Sequence, residues 1–123
     1  MRIKISWPSG HVMGELNSTP TAATLSQILP VNGPANTWGE EVYFDVPLDA
    51  DVSPTAEEVV EPGTICYWVE GKAVALPFGP TPASKGDECR LVAPVNIVGK
   101  IDGDPKVLAT ISAGHPVTIE RAE

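Results

Sequence analysis

Apolar and polar residues alternate along this chain in short stretches, each closed by turn residues. Residues 2–7 place Ile3, Ile5 and Trp7 on one face and Arg2, Lys4 and Ser6 on the other, which is the period of a half-buried strand. Pro8-Ser9-Gly10 is a turn signal. Residues 11–16 alternate again, with Val12, Gly14 and Leu16 together, so these two stretches predict a hairpin. In residues 41–46, Val42, Phe44 and Val46 form the expected inner face, and Glu41, Tyr43 and Asp45 share the other. Residues 64–69 are apolar on both faces, as expected of a strand covered on both sides. Glu70-Gly71 then turns the chain into residues 72–78, where Val74, Leu76 and Phe78 oppose the small Ala73 and Ala75. Small side chains there leave space for a packed neighbour or a ligand. Pro77 has no amide donor, which places its end of the strand at an edge or a bulge.

Three more strands are expected. Residues 91–101 put Val95, Ile97, Gly99 and Ile101 on one face. Asp102-Gly103 is a hairpin signal leading to residues 106–111, and residues 117–121 follow. Between the second and third strands the period changes to that of a helix. Thr19 suits an N-cap and Pro20 the first helical position. Ala22, Leu25, Ile28 and Leu29 share a face, and Pro30 ends the helix, which is expected to cover one open end of a barrel. Residues 31–39 read as loop, Ser53-Pro54 as the cap of one helical turn through Glu58, and residues 79–89 as a loop stiffened by Gly79-Pro80-Thr81-Pro82. About eight short strands with one or two short helices indicate an all-β sandwich or barrel. The 123 residues form one domain, long enough to bury a core without disulfide or metal staples.

Composition narrows the partners. Thirteen prolines and eleven glycines account for the shortness of the segments. The net charge of −8, with scattered cations, disfavours nucleic acid and anionic membrane surfaces as partners. No apolar run approaches the roughly 20 residues of a membrane span. Lys4 and Ser6 interrupt what would be the apolar centre of a signal peptide, so the expected compartment is the cytoplasm, where a Cys66–Cys89 disulfide would be unusual.

The reactive residue types form no recognised catalytic pattern. His11 and His115 lie in or beside turns, and neither they nor the cysteines have metal-ligand spacing. Glu40-Glu41 and Glu57-Glu58 are adjacent pairs, which diverge on either a strand or a helix. Ser84, Thr81, Cys66 and Cys89 are nucleophile candidates without a nucleophile elbow. Gly79-Pro80-Thr81-Pro82 is no phosphate cradle, because two of its residues lack amide donors. No metal or cofactor is therefore expected. The aromatic residues carry more information: six of the seven lie between Trp38 and Phe78. They either pack the core or line a concave apolar site with polar tips.

Several segments together resemble the cyclophilin-like domain family of small prokaryotic β-barrel proteins. They include Gly14-Glu15-Leu16, Pro20-Thr21-Ala22, Trp38-Gly39-Glu40-Glu41-Val42-Tyr43-Phe44, Tyr67-Trp68, Phe78-Gly79-Pro80-Thr81-Pro82 and Pro94-Val95-Asn96-Ile97-Val98-Gly99-Lys100. The resemblance covers nearly the whole chain and implies a closed cyclophilin-like barrel of about eight strands, a form without exposed sheet edges. Cys66 and Leu76-Pro77 depart from the expected pattern. The resemblance implies no known reaction. Cyclophilins proper isomerise prolyl bonds with a strand-borne arginine, and no segment here matches the setting of that residue.

The functional expectation is a binding module taking a small molecule or short peptide at an aromatic-edged opening. Trp38, Tyr43, Tyr67 and Phe78 are its candidate aromatic residues, and Glu40, Thr81, Arg90 and Asn96 its candidate polar contacts. Two alternatives stand beside it: a peptidyl-prolyl isomerase, which rests on fold analogy alone, and a structural or assembly subunit. The oligomeric state is left open.

Overall fold

A computed structural model describes residues 1–122. Ten strands appear among the described residues: β1 (Arg2–Trp7), β2 (Gly10–Leu16), β3 (Val31–Pro34), β4 (Asn36–Thr37), β5 (Glu41–Asp45), β6 (Glu57–Val59), β7 (Thr64–Trp68), β8 (Ala73–Pro77), β9 (Arg90–Ile101) and β10 (Pro116–Arg121). Helix α1 (Pro20–Ile28) follows β2, and a 3₁₀ helix (Pro105–Thr110) precedes β10. The main sheet runs β3-β10-β1-β2-β9-β7-β8-β5-β4, and β6 pairs separately with β9.

The ends of that path, β3 and β4, are consecutive pieces of one extended segment with only Ala35 between them. β3 pairs with β10 and β4 pairs with β5, all antiparallel. The segment thereby joins both sheet edges and produces a nearly closed barrel, leaving few unpaired edge groups. Ala35 fastens the junction: its amide donates to the His115 carbonyl at 2.8 Å, and its carbonyl accepts from the Gly114 amide at 2.8 Å.

The alternating faces fill the interior as expected. Ile3, Ile5, Val42, Phe44, Ile65, Tyr67, Val74 and Leu76 all enter the main core. The opposite faces of β7 and β8 supply a second, smaller cluster, where Cys66 and Ala75 pack with Val60, Cys89, Leu91 and Val95. The barrel wall made by β5, β8 and β7 is thus covered on its outer side as well. Pro77 pairs with Glu41 of β5 but lies past the last β7–β8 pair, Cys66↔Ala75, so its missing donor falls outside that ladder.

Helix α1 starts and stops where expected. Thr19 Oγ1 accepts from the Ala22 amide at 3.4 Å, Pro20 opens the helix, and Leu29 is already extended. Thr21, Ala22 and Leu25 form its buried face.

Four expectations are corrected. Residues 31–39 contain β3 and β4, because both barrel edges need a partner there. Residues 57–59 form β6 rather than a helical turn, because β9 offers them a ladder, with Glu57↔Val95 and Val59↔Arg90. Residues 106–111 are not a strand. Asp104 accepts from the Lys106 amide at 3.0 Å and Pro105 occupies the first turn, so the segment coils into the 3₁₀ helix and buries Leu108. Finally, β9 does not keep one face throughout. Ile65 pairs with Gly99 but Cys66 pairs with Ile97, so Val98 is an extra residue. Such a bulge reverses the alternation. Val98 and Ile101 consequently face the main core, whereas Leu91, Val95 and Ile97 face the smaller cluster.

Candidate functional site

A cavity of about 190 Å³ lies on the outer side of the β5-β8-β7 wall, beside the smaller cluster. Strand alternation supplies most of it. Glu41 and Tyr43 come from one face of β5, Trp68 from β7 and Ala75 from β8, while Leu91, Val92 and Val95 come from β9. Ala75 pairs with Tyr43 on one side and Cys66 on the other, so its methyl group leaves open the space a larger residue would fill. Tyr43 and Trp68 meet edge to face, with ring centroids 6.2 Å apart and planes at 89°, a favoured aromatic geometry. Trp38 completes the aromatic wall. Its position depends on Gly39, which has a φ of 61°; a Cβ there would lie 2.8 Å from Pro82 Cδ and 2.9 Å from Thr81 Cα. The stiff loop therefore packs against Gly39, next to Trp38, and does not line the cavity. Val92 is 57% exposed and marks the mouth.

Two polar groups stand out. Glu41 is only 5% exposed, and its Oε1 has no hydrogen-bond partner. Burial pushes its carboxyl from 4.5 up to about 7, as expected for a carboxylate removed from water. The Trp68 indole N–H is likewise buried and unpartnered. Buried polar groups are overwhelmingly paired in folded proteins, and these two exceptions belong to residues that line one cavity.

The neighbouring thiols do not form a nucleophilic pair with this carboxyl. Burial, reinforced by the charge of Glu41, raises Cys66 well above its ordinary range. Burial raises Cys89 to about 11. Both remain thiols at neutral pH, and the thiol is the unreactive form. Neither cysteine is in a disulfide. Among the described residues, no group of three or more His, Cys, Asp or Glu side chains is placed to hold a metal ion.

Of the residues singled out from the sequence, Trp38 and Tyr43 line this cavity. Glu40 does not: alternation sends its carboxylate the other way, against Gly79 and 3.7 Å from Lys106 Nζ. Phe78 is buried in the main core. Tyr67 is buried there too, and its hydroxyl donates to the Leu48 carbonyl. Thr81 is buried, with its hydroxyl donating to the Arg90 carbonyl. Arg90 is engaged by Glu88, with Nε to Oε1 at 3.0 Å, and by Glu58. Asn96 ties helix α1 to residues 51–53: Nδ2 donates to the Asp51 carbonyl at 2.9 Å and to Thr21 Oγ1 at 3.0 Å, while Oδ1 accepts from the Ser53 amide at 2.8 Å. Asn96 borders a second cavity of about 340 Å³ between α1 and residues 49–54. Those three hydrogen bonds already use its polar atoms, so it has little left to offer a ligand.

A family model described as cyclophilin-like matches residues 1–120. The chain belongs to the cyclophilin-like family. This cyclophilin-like chain is similar in structure to the hypothetical protein AF2241 from Archaeoglobus fulgidus, known from a solution structure. The two are 33% identical with a TM-score of 0.82, over 99% of this chain and 95% of that one. No curated protein matches. No helix among the described residues of the cyclophilin-like barrel is long and apolar enough to cross a membrane. None of its arginines, Arg2, Arg90 and Arg121, lines the aromatic cavity.

Glu41 and Trp68 are the lining residues with polar groups that are not among the candidates drawn from the sequence. The signal for Glu41 is that it shares a strand face with Tyr43. Trp68 sits beside Tyr67 in a run apolar on both faces, and nothing local distinguishes the ring entering the core from the one beside the cavity.

Proposed function

We propose that this cyclophilin-like barrel is a non-catalytic binding module that holds a small molecule in the cavity between Trp38, Tyr43 and Trp68. Two residues that line the aromatic cavity, Glu41 and Trp68, each hold a buried polar atom without a partner, which supports this reading. A ligand whose complementary groups reach these atoms through small side-chain adjustments would offset desolvation penalties of roughly 1–3 kcal/mol each. The aromatic walls supply apolar contact, and their strands give a site that needs little ordering on binding. A volume of about 190 Å³ is small beside the roughly 300–1,000 Å³ of drug-sized sites, so the occupant is a small molecule or a single side chain of a peptide rather than an extended segment.

Ala75→Leu tests the reading because a larger side chain at this buried lining position reduces the cavity volume. In a ligand-observed NMR fragment screen, fragments that bind the parent protein are expected to lose at least about tenfold in affinity in this variant, while its amide spectrum remains that of a folded barrel. Fragments that bind both proteins equally would move the site elsewhere.

A further inference from the structure

We infer that the aromatic cavity selects a small organic cation, an ammonium group carrying a nearby oxygen acceptor. This rests on the binding-module reading and specifies its ligand. Three observations support it. Trp38, Tyr43 and Trp68 surround one space, and the perpendicular Tyr43 and Trp68 rings supply two of its walls. Aromatic faces attract cations through their quadrupole, and rings set around a point are suited to alkylated ammonium groups. Second, Glu41 lines the same space, and one of its carboxyl oxygens is buried with no protein partner. The nearby cations are committed elsewhere, Arg90 to Glu58 and Glu88, and Lys106 to Glu40. Third, the chain carries a net charge of −8, a field that favours approach of cations over anions. Trp68, a lining residue, also holds a buried unpartnered N–H, a donor that an ammonium cannot satisfy and a hydroxyl or carbonyl oxygen can. An anionic ligand would meet a repulsive surface and a carboxyl group with no countercharge.

Binding of a cation is coupled to proton loss from Glu41. The titratable groups set around that carboxyl are Tyr43 on its own strand, Cys66 on β7 and Cys89 ahead of β9, with Glu40 and Glu57 beyond them. None is a cation, and the two thiols are held protonated. Below about pH 7 the carboxyl keeps its proton and the attraction weakens.

The test is an NMR titration of the full chain with choline and with its uncharged tert-butyl analogue, in which carbon replaces the nitrogen. The indole N–H resonances of Trp38 and Trp68 report occupancy. Choline is expected to bind roughly tenfold more tightly than the carbon analogue, and to weaken as the pH falls below about 7. Glu41→Gln is expected to reduce the preference to the share supplied by the aromatic faces and to abolish the pH dependence. Trp38→Leu, at the half-exposed edge, provides a second variant; it lowers choline affinity more than that of the neutral analogue. Equal binding of the two compounds, or a preference and pH dependence undiminished in Glu41→Gln, overturns the cation assignment. If only neutral or anionic fragments bind, and Ala75→Leu blocks them, the assignment falls while the binding-module reading stands. If no fragment of any charge binds, both fall.

Discussion

Glu41 places a carboxyl group where an apolar side chain would ordinarily sit. Its folded-state carboxyl titrates at about 7 against an ordinary 4.5, so between those values the folded chain binds more protons than the unfolded one. Its contribution to stability is therefore most favourable below about pH 4.5 and is lost as pH rises toward about 7. At about 1.4 kcal/mol per pH unit the full loss is about 3 kcal/mol, and screening through the cavity mouth reduces this to about 2 kcal/mol. Glu41→Gln is accordingly expected to exceed the parent in stability by about 2 kcal/mol above pH 8, with the gain shrinking toward zero near pH 4. Urea denaturation over a pH series measures this. A gain independent of pH would mean that burial of the charge is not its cause. The sequence places Glu41 on the face of Tyr43, away from Val42 and Phe44. That this face is buried rather than washed by solvent depends on β9 and its residues 91–95, some fifty positions along the chain, which no local pattern connects to it.

Among the elements, β9 is the least legible in sequence and does the most to position the site. Its N-terminal half walls the cavity, its C-terminal half closes the main core, and the bulge at Val98 lets one strand serve both. Beside the bulge, β9 approaches β2 closely. A Cβ on Gly99 would lie 2.2 Å from the Glu15 carbonyl oxygen. That atom is backbone within a ladder and has little freedom to retreat. Gly99→Ala is expected to cost about 2–3 kcal/mol, within the range of overpacking substitutions, as read from the urea midpoint at unchanged slope. A cost below about 0.5 kcal/mol, the range of ordinary surface substitutions, would show that the two strands can separate. Alternation located β1, β2, β5, β7 and β8, because each keeps one phase from end to end. It misplaced part of β9, where an extra residue changes the phase. It also read the 3₁₀ segment as a strand, because Val107, Leu108 and Ile111 are β-favouring in composition while the Asp104 cap and Pro105 favour coiling.

At the scale of the molecule, the barrel depends on contacts between the ends of the chain. β10 lies between β1 and β3, with Ile3↔Arg121 and Val117↔Gly33 among its pairs. Without it, two strands are exposed at their edges and the core loses Val117 and Ile119. Truncation before Pro116 is expected to abolish the cooperative unfolding transition and collapse the amide spectrum, well beyond the loss of one surface strand. A truncated chain that still melts cooperatively would place the stability in the remaining strands alone.

The chain's own pattern determined the strand faces, the capped helix, the all-β class and the cyclophilin-like resemblance, because these depend on side-chain period and on turn chemistry between near neighbours. Tertiary structure decided which outer face is covered, where β9 changes phase, that residues 31–37 join both sheet edges, and that Glu41 rather than Glu40 meets the aromatic rings. Those outcomes depend on pairing between distant segments, whose hydrogen bonds and buried area exist only once the barrel has curled round on itself.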